Sequence, residues 1–226
     1  ALQAGSYYVP VDQALSNHTE IQRLVLRLPA TDAPAEIWPG LQADAEGWRL
    51  TLTANPIGEL ETDADPRAET PQFPISHFRI KRLAEQAVAG ASDPKGQIAA
   101  LTNFVHNYMD YQPSAATNPV LALLDEPVGD CTEFADLFTT LARALGIPAR
   151  TVFGLAYSDH TEPAFSFHAW NEVLADGDWQ AVDPTWNQVL VDATHIPLPS
   201  RGATLQLATA GNDLRFAVEQ VEYFDR

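Results

Sequence analysis

The spacing of hydrophobic positions changes period along this chain. From Ile21 to Leu28 (Ile-Gln-Arg-Leu-Val-Leu-Arg-Leu) and from Gly47 to Ala54, apolar and polar residues roughly alternate, as in half-buried strands. Asn55-Pro56 closes the second run. From His77 the period lengthens. Phe78, Ile80, Leu83, Ala87 and Val88 predict a helix over 77–89, and Ile98, Leu101, Phe104, Val105 and Tyr108 predict another over 94–108. Phe134, Leu137, Phe138, Leu141 and Leu145 then recur at helical steps. Gly146 followed by Ile147-Pro148 supplies a C-cap glycine and a residue that cannot continue the helix. Asp130 is the predicted N-cap, which puts Cys131 in the first turn. Aromatic and β-branched content from Phe165 to Leu174 predicts a strand. Asp176-Gly177-Asp178 predicts a turn one residue longer than the tightest hairpin loop, and Trp179 to Val182 the returning strand. Further on, Gln188–Val191 and Leu205–Leu207 read as short strands, Asp192-Ala193-Thr194-His195 as a loop, and Leu214–Tyr223 as a closing strand. The stretch from Glu59 to Glu69 is acidic, contains Pro66 and has no apolar period, so it reads as a solvated linker.

Composition narrows the picture. A chain of 226 residues, 46% hydrophobic and 19% charged, is globular and holds one sizeable core or a core plus a small module. A formal net charge of −17 repels phosphate backbones and anionic lipid, so no nucleic-acid partner is expected. An acidic surface more often serves solubility than substrate choice. No apolar run approaches the roughly 20 residues of a membrane span. One cysteine permits no intrachain disulfide, so the redox compartment is not legible. The chain begins Ala1-Leu2-Gln3-Ala4-Gly5, without a methionine, a charged n-region or an h-region. The expectation is a mature exported protein or an excised fragment. Localisation (exported and periplasmic, or cytoplasmic) and oligomeric state stay open.

The candidate chemistry centres on Cys131, in Gly129-Asp130-Cys131-Thr132-Glu133. At a helix start, unpaired backbone N–H groups and the positive end of the helix dipole lie near the sulfur. Reactive thiolates are found in such surroundings, and the same N–H groups can stabilise an oxyanion. His168 follows in His168-Ala169-Trp170-Asn171-Glu172-Val173, and Asp183 in Ala181-Val182-Asp183-Pro184-Thr185-Trp186. A hairpin centred on Gly177 lays position 168 near 186, with 183 within a few residues. Paired strands run about 4.8 Å apart, so an imidazole–carboxylate hydrogen bond is geometrically reasonable. Taken singly, each residue also has a structural reading: a buried small hydrophobe, a core histidine, an aspartate opening an Asp-Pro-Thr turn. Taken together they supply a nucleophile, a base and an orienting carboxylate for acyl transfer through a thioester. Asp159, His160, Glu162 and His168 lack zinc-site spacing, and no EF-hand loop is present, so no metal or cofactor is expected.

These segments resemble the transglutaminase-like superfamily of papain-fold cysteine enzymes. The matching pieces are Gly129-Asp130-Cys131 with its helix, the run from Gly146-Ile147-Pro148 to Gly154, His168 to Val173, and Trp179 to Trp186. The resemblance covers roughly residues 75 to 198. It implies Cys131 as nucleophile, His168 as general base and Asp183 as the orienting acid. It implies an α+β fold with a papain-like transglutaminase core, in which the cysteine helix packs against an antiparallel β-sheet or barrel. The implied organisation is an N-terminal β-rich segment with acidic linker over 1–66 and a catalytic core over 67–226. Some members of the superfamily have lost the cysteine; here all three positions are filled, which implies an active enzyme. By this resemblance Cys131 attacks a carboxamide of a peptide or protein substrate, ammonia or an amine leaves, and water or a second amine resolves the thioester. Hydrolysis by a peptidase or amidase is the first expectation. A protein-glutamine transamidase is the alternative, and a non-catalytic binding or assembly module a further one. The related arylamine N-acetyltransferases share the order Cys, His, Asp, but their arginine–glycine run before the cysteine is missing: Glu126-Pro127-Val128-Gly129-Asp130 stands there instead. Tyr111 is expected to pack in the core or line the cleft, and the resemblance gives His195 no role.

Overall fold

A run such as Ile21–Leu28 satisfies its backbone hydrogen bonds only if strands lie along both edges, and in the computed structural model they do. The structure describes residues 8–28, 40–58, 64–113, 117–159, 162–199 and 214–225. In chain order the strands and α-helices are β1 (Tyr8–Pro10), β2 (Ile21–Leu28), β3 (Leu41–Asp44), β4 (Gly47–Thr53), α1 (Phe78–Ala87), α2 (Pro94–Tyr108), β5 (Asp110–Tyr111), β6 (Val128–Gly129), α3 (Cys131–Ala144), β7 (Ala149–Ser158), β8 (Ala164–Ala175), β9 (Asp178–Val182), β10 (His195–Pro197) and β11 (Ala217–Tyr223). The chain divides into two units. A β unit is built from Gly5–Glu61, Phe153–His168 and Val191–Arg226, and a helical unit from Thr62–Val152 and Ala169–Leu190.

In the β unit, four strands form an antiparallel sheet in the order β11-β2-β4-β3. The predicted strand over 21–28 is β2, and the one over 47–54 is β4, which ends at Thr53. Ile21, Leu24, Leu26 and Leu28 pack with Leu50, Leu52, Tyr157, Phe165 and Phe216 into a single apolar cluster. Arg23, Arg27 and Arg49 pair instead with Asp44, Glu219 and Glu222. The closing strand begins at Ala217, three residues later than predicted, because Phe216 forms a separate bridge to Val11 and is itself buried. β1 pairs with β8 through Val9↔Phe165, and β10 with β7 through His195↔Ala156. His195 therefore opens a strand, where the sequence pattern predicts a loop. A three-residue strand is too short to show a period, and its pairing partner lies far away in sequence.

The helical unit holds α1, α2 and α3 with the remaining parts of β7 and β8, and with β9. The predicted helix over 94–108 is α2; Asp93 caps it by accepting from Gly96 N, and Pro94 occupies the first turn. The helix predicted over 77–89 runs from Phe78 to Ala87, with the His77 ring accepting from Arg79 N. Twelve of the fourteen residues of α3 are buried, so it is a central helix with little solvent-facing surface. Phe134, Leu137, Phe138 and Leu141 pack against Ile80, Leu101 and Val105 of the other helices and against Ala149, Val173, Ala175 and Val182 of the strands. The fold is α+β, with the cysteine helix against antiparallel strands.

Two details differ from the sequence pattern. Ala175 pairs with Asp178, so the β8–β9 loop is Asp176-Gly177, shorter than the predicted three-residue turn. Both residues have positive φ, 54° and 95°, as a tight Asp-Gly hairpin turn requires. Gln188–Val191 is not a strand. Gln188 makes an isolated bridge to Asp183, and the Val189 carbonyl accepts from Gln180 Nε2. The predicted strand over 205–207 lies outside the described residues, as does the first part of the acidic stretch. The described end of that stretch is tied down: Ala149 N donates to Pro66 O and Arg143 Nη1 to Ala68 O. Among the described residues no helix is long and apolar enough to cross a membrane.

Candidate active site

The cysteine sits where a strand stops and a helix starts. β6 pairs in parallel with β5, setting Tyr111 opposite Gly129, and Gln112 N donates to Gly129 O at 2.9 Å. Asp130 then caps α3: its Oδ1 accepts from Thr132 N at 2.8 Å, and Glu133 Oε2 accepts from Asp130 N at 2.8 Å. This reciprocal capping box satisfies donors that the first helical turn leaves without partners. Glu133 Oε1 also accepts from Asn118 N at 2.8 Å, which ties the loop before β6 to the helix. Burial pushes the Glu133 carboxyl above the usual carboxylate range, against the pull of these two backbone donors. A Cβ at position 129 would lie 2.5 Å from Glu133 Cβ, so the capping glutamate requires glycine there. Cys131 opens the helix at 5% exposure.

Other side chains hold α3 in place. Asn171 of β8 donates from Nδ2 to Ala135 O at 2.9 Å and to Thr139 Oγ1 at 2.8 Å. Buried Asp136 accepts from Gln72 Nε2 at 2.8 Å and from Thr151 Oγ1 at 3.0 Å. Arg143 Nε donates to Ala149 O, and the guanidinium stacks 4.5 Å above the Phe73 ring. The sequence reading assigned Asn171 no task of its own. Its signal was there, an amide inside an otherwise apolar strand run, where a buried polar group must find partners.

Asp183 lies just after β9 and is fully buried. Its backbone exchanges two hydrogen bonds with Gln188, at 2.8 and 2.9 Å. Its Oδ1 accepts from Thr185 N at 2.8 Å and from Trp186 N at 3.3 Å, so the turn chemistry expected of Asp-Pro-Thr is present. The ring of His106 on α2 holds the same turn, with Nδ1 3.2 Å from Pro184 O and 3.1 Å from Thr185 O. Bonding to those carbonyls requires the proton on Nδ1. His106 was not singled out from sequence, since one histidine on a helix carries no signal of a partner so distant in the chain.

Tyr111 is 55% exposed, with its ring 6.3 Å from that of Phe134. This corrects the core-packing expectation. Partial desolvation of its hydroxyl raises it above the ordinary tyrosine value, and electrostatic contributions from Cys131 and Asp130 act in the same direction. Beside it a cavity of about 300 Å³ is lined by Gln112, Asn118, Glu126, Val128 and Gly129.

Cys131 and Asp183 thus belong to the helical unit. His168 lies on β8 at the end of the β-unit segment Phe153–His168. It is buried, and its ring centroid lies 5.8 Å from that of His195, at an interplanar angle of 60°.

Residues 81–184 match the family model described as Transglutaminase-like superfamily, an interval that includes Cys131, His168 and Asp183. The chain is 39% identical over 167 residues to the kyphoscoliosis peptidase of Mus musculus, covering 69% of this chain and 25% of that protein. It is 28% identical over 209 residues to the protein-glutamine gamma-glutamyltransferase of Pseudomonas aeruginosa, covering 78% of this chain and 30% of that protein. Among solved structures it is similar to a Cytophaga hutchinsonii protein named as a candidate cysteine protease (22% identity, 97% of this chain and 86% of that one, TM-score 0.48) and to the periplasmic domain of TgpA from Pseudomonas aeruginosa (18% identity, 88% of each chain, TM-score 0.42). The chain spans between a quarter and a third of the length of the two curated relatives. Through residues 81–184, which carry the capped cysteine helix and the strands that pack on it, this chain belongs to the transglutaminase-like superfamily.

Proposed function

We propose that the chain is a cysteine hydrolase of amide bonds, acting on peptides or on side-chain carboxamides through a thioester on Cys131. The observation that carries this reading is Cys131 itself, the first residue of a helix whose cap is complete and whose body is buried. Backbone N–H groups there can stabilise the oxyanion of a tetrahedral intermediate. His168 takes the thiol proton as Cys131 attacks the carbonyl, then returns it to the departing amine, and Asp183 orients the imidazole. Water attacks the thioester with His168 again as base, releasing the acid and restoring the thiol.

Alkylation by iodoacetamide tests the nucleophile directly, because Cys131 is the only thiol. Fast alkylation near neutral pH that slows strongly in His168→Ala supports the reading. A slow thiol, indifferent to His168, sinks it. The second reading is transamidation, favoured by similarity to a relative named for glutamine transfer. A fluorescent primary amine offered with a glutamine-containing protein separates the two, since only a transamidase attaches the amine.

A further inference from the structure

A fully buried carboxylate–histidine contact stands beside His168, and the proposed chemistry does not use it. Asp192 and His195 are both at 0% exposure, and His195 Nδ1 lies 3.5 Å from Asp192 Oδ1. Asp192 also accepts from Thr194 N at 2.7 Å and from Thr194 Oγ1 at 2.6 Å. Burial pushes its carboxyl up, but His195 and the two Thr194 donors outweigh this and hold it below the ordinary carboxylate range. The backbone fixes the contact from both sides. His195 pairs with Ala156 of β7, and Tyr157 N donates to Thr194 O at 3.2 Å.

Stability alone is a poor reason for such a pair. Burying a carboxylate beside an imidazole costs solvation, and apolar residues of similar volume often stabilise as well or better. A pair of this kind does fix the plane and tautomer of an imidazole, because the ring nitrogen facing the carboxylate carries the proton. The ring so fixed is the one packed against His168, at 5.8 Å and 60°.

We infer that His195, clamped by Asp192, is a positioning residue for His168: its ring sets the side-chain orientation from which His168 exchanges a proton with Cys131. This rests on the reading of His168 as the base. His195 touches neither substrate nor sulfur in this role. Small losses of alignment are costly in such chemistry, since a 1 Å misplacement can lower a rate by about 10²-fold.

The test uses His195→Phe, which keeps a ring in the site, and Asp192→Asn, which keeps the size of the clamp. Each is compared with wild type and His168→Ala by iodoacetamide alkylation near neutral pH, and with wild type by ¹⁵N NMR of the His168 imidazole. The inference expects both variants to alkylate at least about tenfold more slowly and the His168 ring signals to move. Should His195→Phe fail to fold, the Asp192→Asn result decides. Wild-type alkylation together with unmoved His168 signals would overturn the inference, as would loss of stability with a normal rate per folded molecule. If alkylation depends on His168 but on neither substitution, the positioning role alone falls. If it ignores His168, the catalytic reading falls and takes this one with it.

Discussion

A methyl group at position 129 would collide with the side chain that caps the cysteine helix. Gly129→Ala is therefore expected to cost about 1–3 kcal/mol, the usual range for overpacking, and to slow alkylation of Cys131 by displacing the first turn. Urea unfolding and iodoacetamide kinetics check the two effects separately. Asp130→Ala removes the other half of the capping box and should cost about 0.5–2 kcal/mol, read from the same unfolding curves. At Asp183, Asp→Asn keeps an oxygen that can accept from Thr185 N and Trp186 N, so the turn should persist. If Asp183 orients the base, turnover should still fall by about 10⁴, as substitution of a triad aspartate does elsewhere. Wild-type turnover in that variant would remove Asp183 from the mechanism. Cys131→Ala should fold normally and form no thioester, as intact-mass spectrometry after mixing with substrate would show.

Between strands, the charges of the four-stranded sheet give a prediction about pH. A hydrogen bond from Arg27 holds the Asp44 carboxyl below its ordinary value, and Arg49 does the same for Glu219. Groups with depressed folded-state values stabilise the fold above their unfolded range and lose that contribution as pH falls through the folded value. The unfolding temperature should therefore drop as pH is lowered below about 4, and the drop should be smaller in an Asp44→Asn/Glu219→Gln variant. Because these pairs are solvent-exposed, the effect should also shrink at high salt. A drop of equal size in the double variant would assign the acid sensitivity elsewhere. The α3 helix behaves differently: Asn171, Thr151 and Gln72 are uncharged and bond to its buried Thr139 and Asp136, so salt should move it little.

For the whole molecule, the open chemical question is the acceptor that resolves the thioester. Water exclusion, which decides between hydrolysis and transamidation, depends on the surroundings of the site as a whole. The hydrolase reading expects peptide-bond or carboxamide cleavage with no incorporation of a fluorescent primary amine. Stoichiometric amine incorporation that requires Cys131 would replace it with the transamidase reading. The two apolar clusters each stay within one unit, Leu24 and Phe165 in one and Leu137 and Val173 in the other. The strands β7 and β8 each contribute residues to both units.

The local signals in the sequence carried far. β2 and α2 run to the predicted residues, and α3 starts where Asp130 and the apolar period place it. These features depend on interactions within about one turn or one strand, so a short window of residues contains their cause. Cys131 at the helix start was legible for the same reason. The tertiary structure alone decided the bridge of Gln188 to Asp183, the bonds of Asn171 to α3, and the placement of His195 on a strand beside His168. Each depends on a partner outside the local pattern, and a buried polar side chain has no preferred neighbour until packing removes water and leaves it one.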